Sequence, residues 1–223
     1  MKTVALVPVK GLDAGKSRLL GVLDDASRRA LTLAMLGDVL EALQLVPELD
    51  QTAVVTPDPA VGEAARSQGA LALVRQDPGL NASLDAAGAE LTAAGAELLL
   101  VVLGDVAGAH CQDIERLFKE LAQVGGRGAI LAKARDGGTA ALLRSPPGAI
   151  PNRFGPDSAR AHAAAAAERG VPFQELALPS LSVDLDRRED LQALLSSAAA
   201  APRTRALLGR LANRRAGSEE AAL

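Results

Sequence analysis

Short, strongly apolar segments alternate along this chain with longer segments whose apolar residues recur every three or four positions. The short segments predict buried strands, because uninterrupted apolar runs of roughly four to eight residues are typical of strands covered on both faces. The predicted strands are residues 3–9, 52–56, 70–74, 97–103, 128–133 and 140–144, followed by a strand pair around 173–178 and 182–185. We expect the most apolar strand, 97–103, to lie in the centre of the sheet.

The longer segments predict helices with one apolar face. The predicted helices are residues 25–45, 59–68, 81–94, 111–124, 158–169 and 187–196. Asp25 or Ser27 is suited to cap the first helix, and Asn81 is suited to open the third. Alternating strands and helices indicate an α/β fold in which helices cover both faces of a mostly parallel sheet. Ligands of such sheets bind beyond the carboxyl ends of the strands.

We expect a single domain, because 223 residues is close to the usual domain size of roughly 100–200 residues. This domain would span residues 1–199, and the tail at 200–223 would form a short helix or be disordered. Residues 144–156 are rich in Pro, Gly and Asn and predict a long irregular loop. Structureless loops of that length in compact domains are often functional.

The composition excludes several classes of function. The chain has three Phe, no Tyr and no Trp, and its net charge is -3, so it offers neither stacking platforms nor a basic surface for nucleic acid. Its one cysteine, Cys111, excludes internal disulfides and zinc sites built from several cysteines. The apolar runs are too short to span a membrane, and the amino terminus lacks a signal-peptide pattern. We therefore expect a cytoplasmic protein with no membrane partner.

A glycine-containing loop, KGLDAGKSR, follows the first predicted strand. It is similar to a phosphate-binding P-loop, but Lys10 stands where that motif requires its first glycine, so we reject a P-loop. Lys10, Lys16 and Arg18 are three cations near the carboxyl ends of the strands, where they would suit a triphosphate. The alternative is a solvated loop with charges that precede a helix.

Three aspartates are candidate metal ligands. Asp105 follows the most apolar strand, where a carboxylate has little packing role. Asp184 and Asp186 alternate in SVDLD, which places both side chains on one face of a strand. Clustered carboxylates repel each other unless a cation lies between them, and ligands that are all oxygen favour Mg²⁺. The alternatives are a helix cap or a turn aspartate at 105 and a helix cap at 186.

Two glycine-containing motifs suit an anion. DGGT and FGPDS combine glycine amides with the hydroxyl groups of Thr139 and Ser158, and Ser158 would begin a helix, where exposed N–H groups favour negative charge. The alternative for both motifs is ordinary turn and cap chemistry. The two histidines, His110 and His162, stand in no metal-ligand spacing. We interpret them as surface groups or as residues that lie behind the site.

Taken in order, these motifs resemble one enzyme family, the guanylyltransferases of coenzyme F420 biosynthesis that act on 2-phospho-L-lactate or phosphoenolpyruvate. The similar stretches are VPVKGLDAGKSRL, LNASL, GD at 104–105, DGGT, FGPDSARAH and VDLDRREDL. The resemblance covers the chain to about Leu194. It departs from the family pattern at DGGT, which is shorter than the usual Gly-Thr-Gly-Thr-Asn, and after Asp105, where Val106-Ala107 replaces Leu-Pro.

The resemblance implies a Rossmann-like nucleotidyltransferase fold, similar to glycosyltransferase A, and an enzyme that transfers GMP from GTP to a small phosphorylated three-carbon acid. The GTP-binding residues would be Pro8, Val9, Lys10, Lys16, Arg18 and Asn81, and the catalytic residues Lys16, Arg18 and Asp105. Thr139, Gly155 and Ser158 would bind the acid, and Asp105, Asp184 and Asp186 would bind Mg²⁺. The family includes monomers and homodimers, so a homodimer is one expected arrangement.

Two other functions stay open at the level of sequence. The same fold serves sugar-phosphate and molybdopterin nucleotidyltransferases, and a preference for CTP or UTP over GTP would identify such an enzyme. A non-catalytic relative would bind a nucleotide or a partner protein without turnover, and the shortened stretch before Thr139 is the feature that motivates this alternative.

Overall fold

The computed structural model describes residues 1–13, 19, 23–182, 185, 188–196 and 200–220. Its strands form one sheet in the order β3-β2-β1-β4-β6-β5-β7. The strands are β1 (Thr3–Pro8), β2 (Gln51–Thr56), β3 (Leu71–Val74), β4 (Leu98–Val102), β5 (Gly128–Lys133), β6 (Thr139–Ser145) and β7 (Phe173–Leu176). The first six agree with the prediction to within one residue at each end.

The sheet is mostly parallel, as predicted. β1 is parallel to β2 and β4, β2 to β3, and β5 to β7, whereas β6 is antiparallel to β4 and β5. β6 therefore begins where β4 ends, and Val102 at the end of β4 is paired with Ala141 near the start of β6. We call the edge where β1 to β4 end and β6 begins the carboxyl edge.

Helices cover both faces of the sheet. They are α1 (Asp25–Gln44), α2 (Pro59–Ser67), α3 (Leu80–Ala93), α4 (Cys111–Gln123), α5 (Ser158–Arg169), α6 (Arg188–Ser196) and α7 (Pro202–Glu220). One core contains buried residues of α1, α2 and α4, and the core on the opposite face contains buried residues of α3 and α5. Within the described part of the chain, no helix is long and apolar enough to span a membrane.

The caps of two helices differ from the prediction. α1 is capped by Asp24, whose carboxylate accepts a hydrogen bond from the Ser27 amide at 2.7 Å. A capping side chain must precede the first helical residue, and Asp25 and Ser27 both lie inside the helix. α3 begins one residue earlier than predicted, after Gly79, and Asn81 is not its cap.

The predicted strand at 182–185 is wrong for its described residues. One turn of 3₁₀ helix, Pro179–Leu181, follows β7, and neither Ser182 nor Leu185 lies in a strand. A proline at the start of this segment lacks the N–H that a sheet ladder requires, which favours the helical turn.

The C-terminal helix α7 packs against α1. The Asp38 carboxylate of α1 accepts hydrogen bonds from the backbone amides of Arg203 and Thr204, each at 2.9 Å. A third apolar cluster, which we call the C-terminal cluster, joins α1, α6 and α7 to residues near the carboxyl edge. Its buried members are Leu19, Leu31, Met35, Ala107, Leu185, Leu191, Leu194, Ala201 and Leu208.

Candidate active site

The loop after β4 lies directly against the end of β1. A Cβ atom on Gly104 would stand 2.9 Å from Val9 Cγ2 and 3.0 Å from the carbonyl oxygen of Pro8. Because glycine has no Cβ, it permits this close approach. The structure therefore brings together three of the predicted site residues, Pro8, Val9 and Asp105, at the carboxyl edge.

The loop after β1 is anchored on β2 and α2. The Val9 amide donates to the carbonyl oxygen of Val55 at 2.9 Å, and the Leu12 amide donates to the Asp58 carboxylate at 2.9 Å. Asp58 also caps α2 by accepting from the Ala60 amide at 2.9 Å. The hydrogen bond from Leu12 is the main cause that lowers the pKa of Asp58 below its usual value.

The predicted GTP-binding cations are described only in part. Lys10 lies between the two anchored amides of this loop and is exposed to solvent. Lys16 and Arg18 lie outside the described residues, so their predicted roles in GTP binding and catalysis stay predictions.

Asp105 is half-buried at the carboxyl edge, and its carbonyl oxygen accepts a hydrogen bond from the Leu185 amide at 3.4 Å. The other two predicted metal ligands, Asp184 and Asp186, lie outside the described residues. In the part of the chain that the structure describes, no group of three or more His, Cys, Asp or Glu side chains is arranged to hold a metal. The predicted metal site therefore stays a prediction.

Thr139 lies on the same edge as Asp105, because β6 begins beside the end of β4. The Leu103 amide donates to the carbonyl oxygen of Ala140 at 3.0 Å. The Thr139 hydroxyl is hydrogen-bonded to the Ser158 hydroxyl at 2.9 Å, and both side chains are buried. The structure thus joins two of the three predicted acceptor-binding residues in direct contact.

The DGGT motif forms the turn between β5 and β6, as its glycines suggest. Gly137 has a φ of 88°, a value that favours glycine, and the Gly138 amide donates to the Asp136 carboxylate at 2.8 Å. The Ala159 amide in the first turn of α5 donates to the carbonyl oxygen of Gly137 at 3.3 Å. This turn therefore contacts the start of the helix that bears Ser158.

His162 is fully buried, so the interpretation as a surface group is wrong for this histidine, whereas the other interpretation, a residue that lies behind the site, agrees with its contact to Thr139. Its Nδ1 lies 3.0 Å from the Thr139 hydroxyl, and its Nε2 accepts a hydrogen bond from the Arg153 amide at 3.0 Å. Burial, followed by the positive charge of Arg144, lowers the pKa of His162 to about 4. The ring is consequently neutral at pH 7. The spacing of Ser158 and His162, four residues apart on one helix, was the available sequence signal, since such residues share a helix face.

His110, in contrast, is exposed at the start of α4, where its Nδ1 accepts from the Gln112 amide at 3.4 Å. This position confirms the interpretation of His110 as a surface group.

Asn81 holds the FGPDS loop against α3. Its side-chain oxygen accepts from the Phe154 amide at 2.8 Å, and its side-chain nitrogen donates to the Phe154 carbonyl oxygen at 2.9 Å. The next residue, Gly155, is exposed and has a φ of 139°, a conformation that favours glycine. Asn81 thus positions the loop that is predicted to bind the acceptor, while its predicted contact with GTP stays a prediction.

A buried polar group supports the same loop from the sheet. The guanidinium of Arg144, in β6, donates to the carbonyl oxygen of Ile150 at 2.9 Å, and the Asn152 side chain donates to the Asp85 carboxylate at 2.6 Å. Burial lowers the pKa of Arg144 to about 10, so the group is still charged at pH 7. Sequence reasoning missed Arg144 and Asn152, because the burial of Arg144 and the contact of Asn152 with Asp85, 67 positions away in the chain, arise only in the fold.

Solved structures of other proteins share the fold of this chain. A candidate nucleotide-diphospho-sugar transferase from Desulfovibrio desulfuricans G20 has a TM-score of 0.77 and 18% identity over 94% of this chain and 95% of its own. A cytidylyltransferase from Leptospira borgpetersenii has a TM-score of 0.62 and 14% identity over 97% and 96%. The predicted nucleotidyltransferase fold is therefore confirmed.

The chain belongs to the family described as guanylyl transferase CofC like, whose model matches residues 3–211 and so extends beyond the limit near Leu194 that the motifs indicated. A phosphoenolpyruvate guanylyltransferase of Sphaerobacter thermophilus is 40% identical, over 89% of this chain and 95% of its own. A phosphoenolpyruvate guanylyltransferase of Rubrobacter xylanophilus is 42% identical, over 88% and 95%. A 3-phospho-D-glycerate guanylyltransferase of Colwellia psychrerythraea is 33% identical, over 88% and 94%.

Proposed function

We propose that this chain transfers GMP from GTP to a small phosphorylated three-carbon acid, phosphoenolpyruvate or 2-phospho-L-lactate, and releases pyrophosphate. The main support is geometric: Asp105 beside the end of β1 and the Thr139–Ser158 hydroxyl pair at the start of β6 share the carboxyl edge. The two relatives of 40% and 42% identity that are named phosphoenolpyruvate guanylyltransferase support this class of acceptor. The motif resemblance supports a role of this reaction in coenzyme F420 biosynthesis.

Mg²⁺ fits the residues assigned to it. The hydrogen bond from the Leu185 amide to the Asp105 carbonyl oxygen brings together the two segments that contain the proposed ligands. Asp184 and Asp186 flank Leu185 in sequence, so the three carboxylates would form the oxygen-only ligand set that Mg²⁺ prefers. A metal bound there supplies positive charge against the phosphates of GTP.

The reaction requires the protein to position the two substrates and to stabilise negative charge. A phosphate oxygen of the acceptor attacks the α-phosphorus of GTP, the bond between the α- and β-phosphates breaks, and pyrophosphate leaves as GMP becomes joined to the acid. The attacking phosphate is already an anion, so no general base is required, and positioning and charge stabilisation provide the catalysis. In this proposal Lys16 and Arg18 stabilise the charge of the leaving pyrophosphate.

The proposal is tested by measuring pyrophosphate release from GTP and Mg²⁺ with each acid in turn. We expect turnover with phosphoenolpyruvate or 2-phospho-L-lactate, and we expect Asp105→Asn to lower kcat/KM by about 100-fold or more, because metal binding is worth several kcal/mol in the transition state. Glu97→Gln is the matched control, since this exposed carboxylate lies at the opposite end of β4. Full activity of Asp105→Asn would rule out the metal role.

A second acceptor, 3-phospho-D-glycerate, is motivated by the Colwellia psychrerythraea relative. It belongs in the same assay as a third acid. Faster turnover with it than with the other two would change the assigned acceptor and leave guanylyl transfer in place. Lack of turnover with all three acids would contradict the proposed function.

A further inference from the structure

We propose that His162 is a positioning residue of the acceptor subsite, and that its ring sets the direction of the hydrogen bonds through Thr139 and Ser158 so that this pair offers a donor to the acid. The inference rests on the proposed function, because it concerns the acid that Thr139, Gly155 and Ser158 would bind. His162 acts through Thr139 and the acceptor loop and is not itself a contact of the acid.

The direction follows from the Arg153 amide. A backbone N–H can only donate, and this one lies 3.0 Å from His162 Nε2, so Nε2 is the unprotonated nitrogen. The proton of the neutral ring is therefore on Nδ1. Nδ1 lies 3.0 Å from the Thr139 hydroxyl oxygen and donates to it.

This direction leaves one hydroxyl proton for a ligand. Thr139 accepts from His162, and a single hydrogen bond of 2.9 Å joins the Thr139 and Ser158 hydroxyl groups. The two hydroxyl groups carry two protons, and the bond between them uses one. Within the described ranges, the structure shows no other acceptor for either proton. The second proton is available to a phosphate or carboxylate oxygen, which can only accept.

The opposite tautomer would remove that donor. If Nδ1 accepted from Thr139, the Thr139 proton would bind the ring and the Ser158 proton would bind Thr139, so the pair would have no proton left for an anion. The choice of tautomer thus determines whether this buried pair is suited to a negatively charged acceptor.

The His162 ring also fixes the backbone next to the FGPDS loop (residues 154–158), which we call the acceptor loop because it is proposed to bind the acid. The Phe154 ring packs edge-on against His162, with centroids 5.1 Å apart and planes at 74°. Asn81 holds both backbone polar groups of Phe154, and the His162 ring holds the amide of Arg153. These contacts fix the two residues that immediately precede Gly155.

Two substitutions separate the functions of the two ring nitrogens. The amide of His162→Asn reaches the position of Nδ1 and can still donate to Thr139, whereas His162→Gln reaches the position of Nε2 and can still accept from Arg153. We expect His162→Gln to raise the KM for the acid about tenfold or more, as the loss of one hydrogen bond predicts, with the KM for GTP unchanged. His162→Asn should raise the KM for the acid less than His162→Gln does. His110→Gln is the matched control at an exposed histidine, and both KM values should be those of the wild type.

A double-mutant cycle shows whether the effect passes through Thr139. In a Thr139→Val background, His162→Gln should no longer change the KM for the acid, because the hydroxyl that the ring directs is gone. This result would support the proposal. Equal effects of His162→Gln in both backgrounds would overturn it.

Three further outcomes are decisive. If His162→Gln only lowers the fraction of folded enzyme, with both KM values unchanged, the role is structural and the inference fails while the proposed function stands. If the wild type turns over none of the three acids, the proposed function fails and the inference fails with it. If the His162 variants do not fold, the KM values of Thr139→Ser and Thr139→Val test the inference instead. Only Thr139→Ser should keep the low KM for the acid. Equal KM values of the two variants would overturn the inference.

Discussion

A buried neutral imidazole at position 162 makes the stability of the protein depend on pH. The pKa of His162 is about 4 in the folded protein, against 6.5 as its ordinary value. As the pH falls below 6.5 the unfolded chain takes up the proton first, so the stability that is fully present above this pH is lost progressively towards pH 4. The positive charges of Arg144 and Arg153 oppose protonation of the ring.

We expect the wild type to lose about 2 kcal/mol of unfolding free energy between pH 7 and pH 5 through this group, and His162→Gln to lose correspondingly less. Urea denaturation at the two pH values measures the difference. The lowered pKa of Asp58 acts only at more acidic pH, so it does not contribute in this window. His110→Gln should keep the pH dependence of the wild type. Parallel losses in the wild type and His162→Gln would contradict the burial of a neutral ring.

The burial of His162 could not be predicted from the apolar pattern of its helix, and its spacing from Ser158 was the available sequence signal for its role. The α5 sequence, SARAHAAAAAER, has alanine on every face, so its apolar pattern does not indicate which side is buried. The need for glycine at position 104 could not be predicted either, because it arises from the close approach of the carbonyl oxygen of Pro8 on another strand. Asp105, Thr139 and Ser158 could be proposed because they stand at the ends or beginnings of elements that local pattern defines.

At the scale of elements, the first six strands were predictable because each contains a short apolar run, whereas the direction of a strand and the contacts at its ends depend on distant partners. The antiparallel direction of β6 follows from its tight turn with β5, and this direction places Thr139 on the same edge of the sheet as Asp105. The strand expected at 182–185 was wrong for its described residues, because alternating apolar and polar positions do not reveal whether a neighbouring strand is present to pair with them.

The contact between α1 and α7 supplies a prediction at this scale. Asp38 is buried and its carboxylate accepts from two amides in the first turn of α7, so Asp38→Ala should lower the unfolding free energy by about 1–2 kcal/mol, the usual cost of a lost helix cap. Asp38→Asn keeps one acceptor and should cost less. Glu41→Gln is the control on the same helix, because its ion pair with Arg203 is exposed and spans 3.5 Å. Equal stability of Asp38→Ala and the wild type in urea would exclude the capping role.

At the scale of the whole molecule, the core that contains α3 and α5 and the C-terminal cluster lie on the sides of different substrates of the proposed reaction. The acceptor loop belongs to the core that contains Phe154 and Ala159, whereas Leu19, a described residue in the segment after the loop proposed to bind GTP, belongs to the C-terminal cluster with Leu208. A substitution in either of these two apolar clusters should therefore change the KM for one substrate more than the KM for the other.

We expect Leu208→Ala to raise the KM for GTP severalfold and to leave the KM for the acid unchanged, the reverse of the pattern expected for His162→Gln. Leu208 is 7% exposed, so its truncation should also cost about 2 kcal/mol of unfolding free energy. Steady-state kinetics below the unfolding temperature separate the two effects, and Leu195→Ala, at a leucine that is 46% exposed, is the control. If Leu208→Ala changed both KM values equally, the C-terminal cluster would stabilise the enzyme as a whole. A selective effect on GTP would instead mean that the C-terminal helix supports the nucleotide side of the active site.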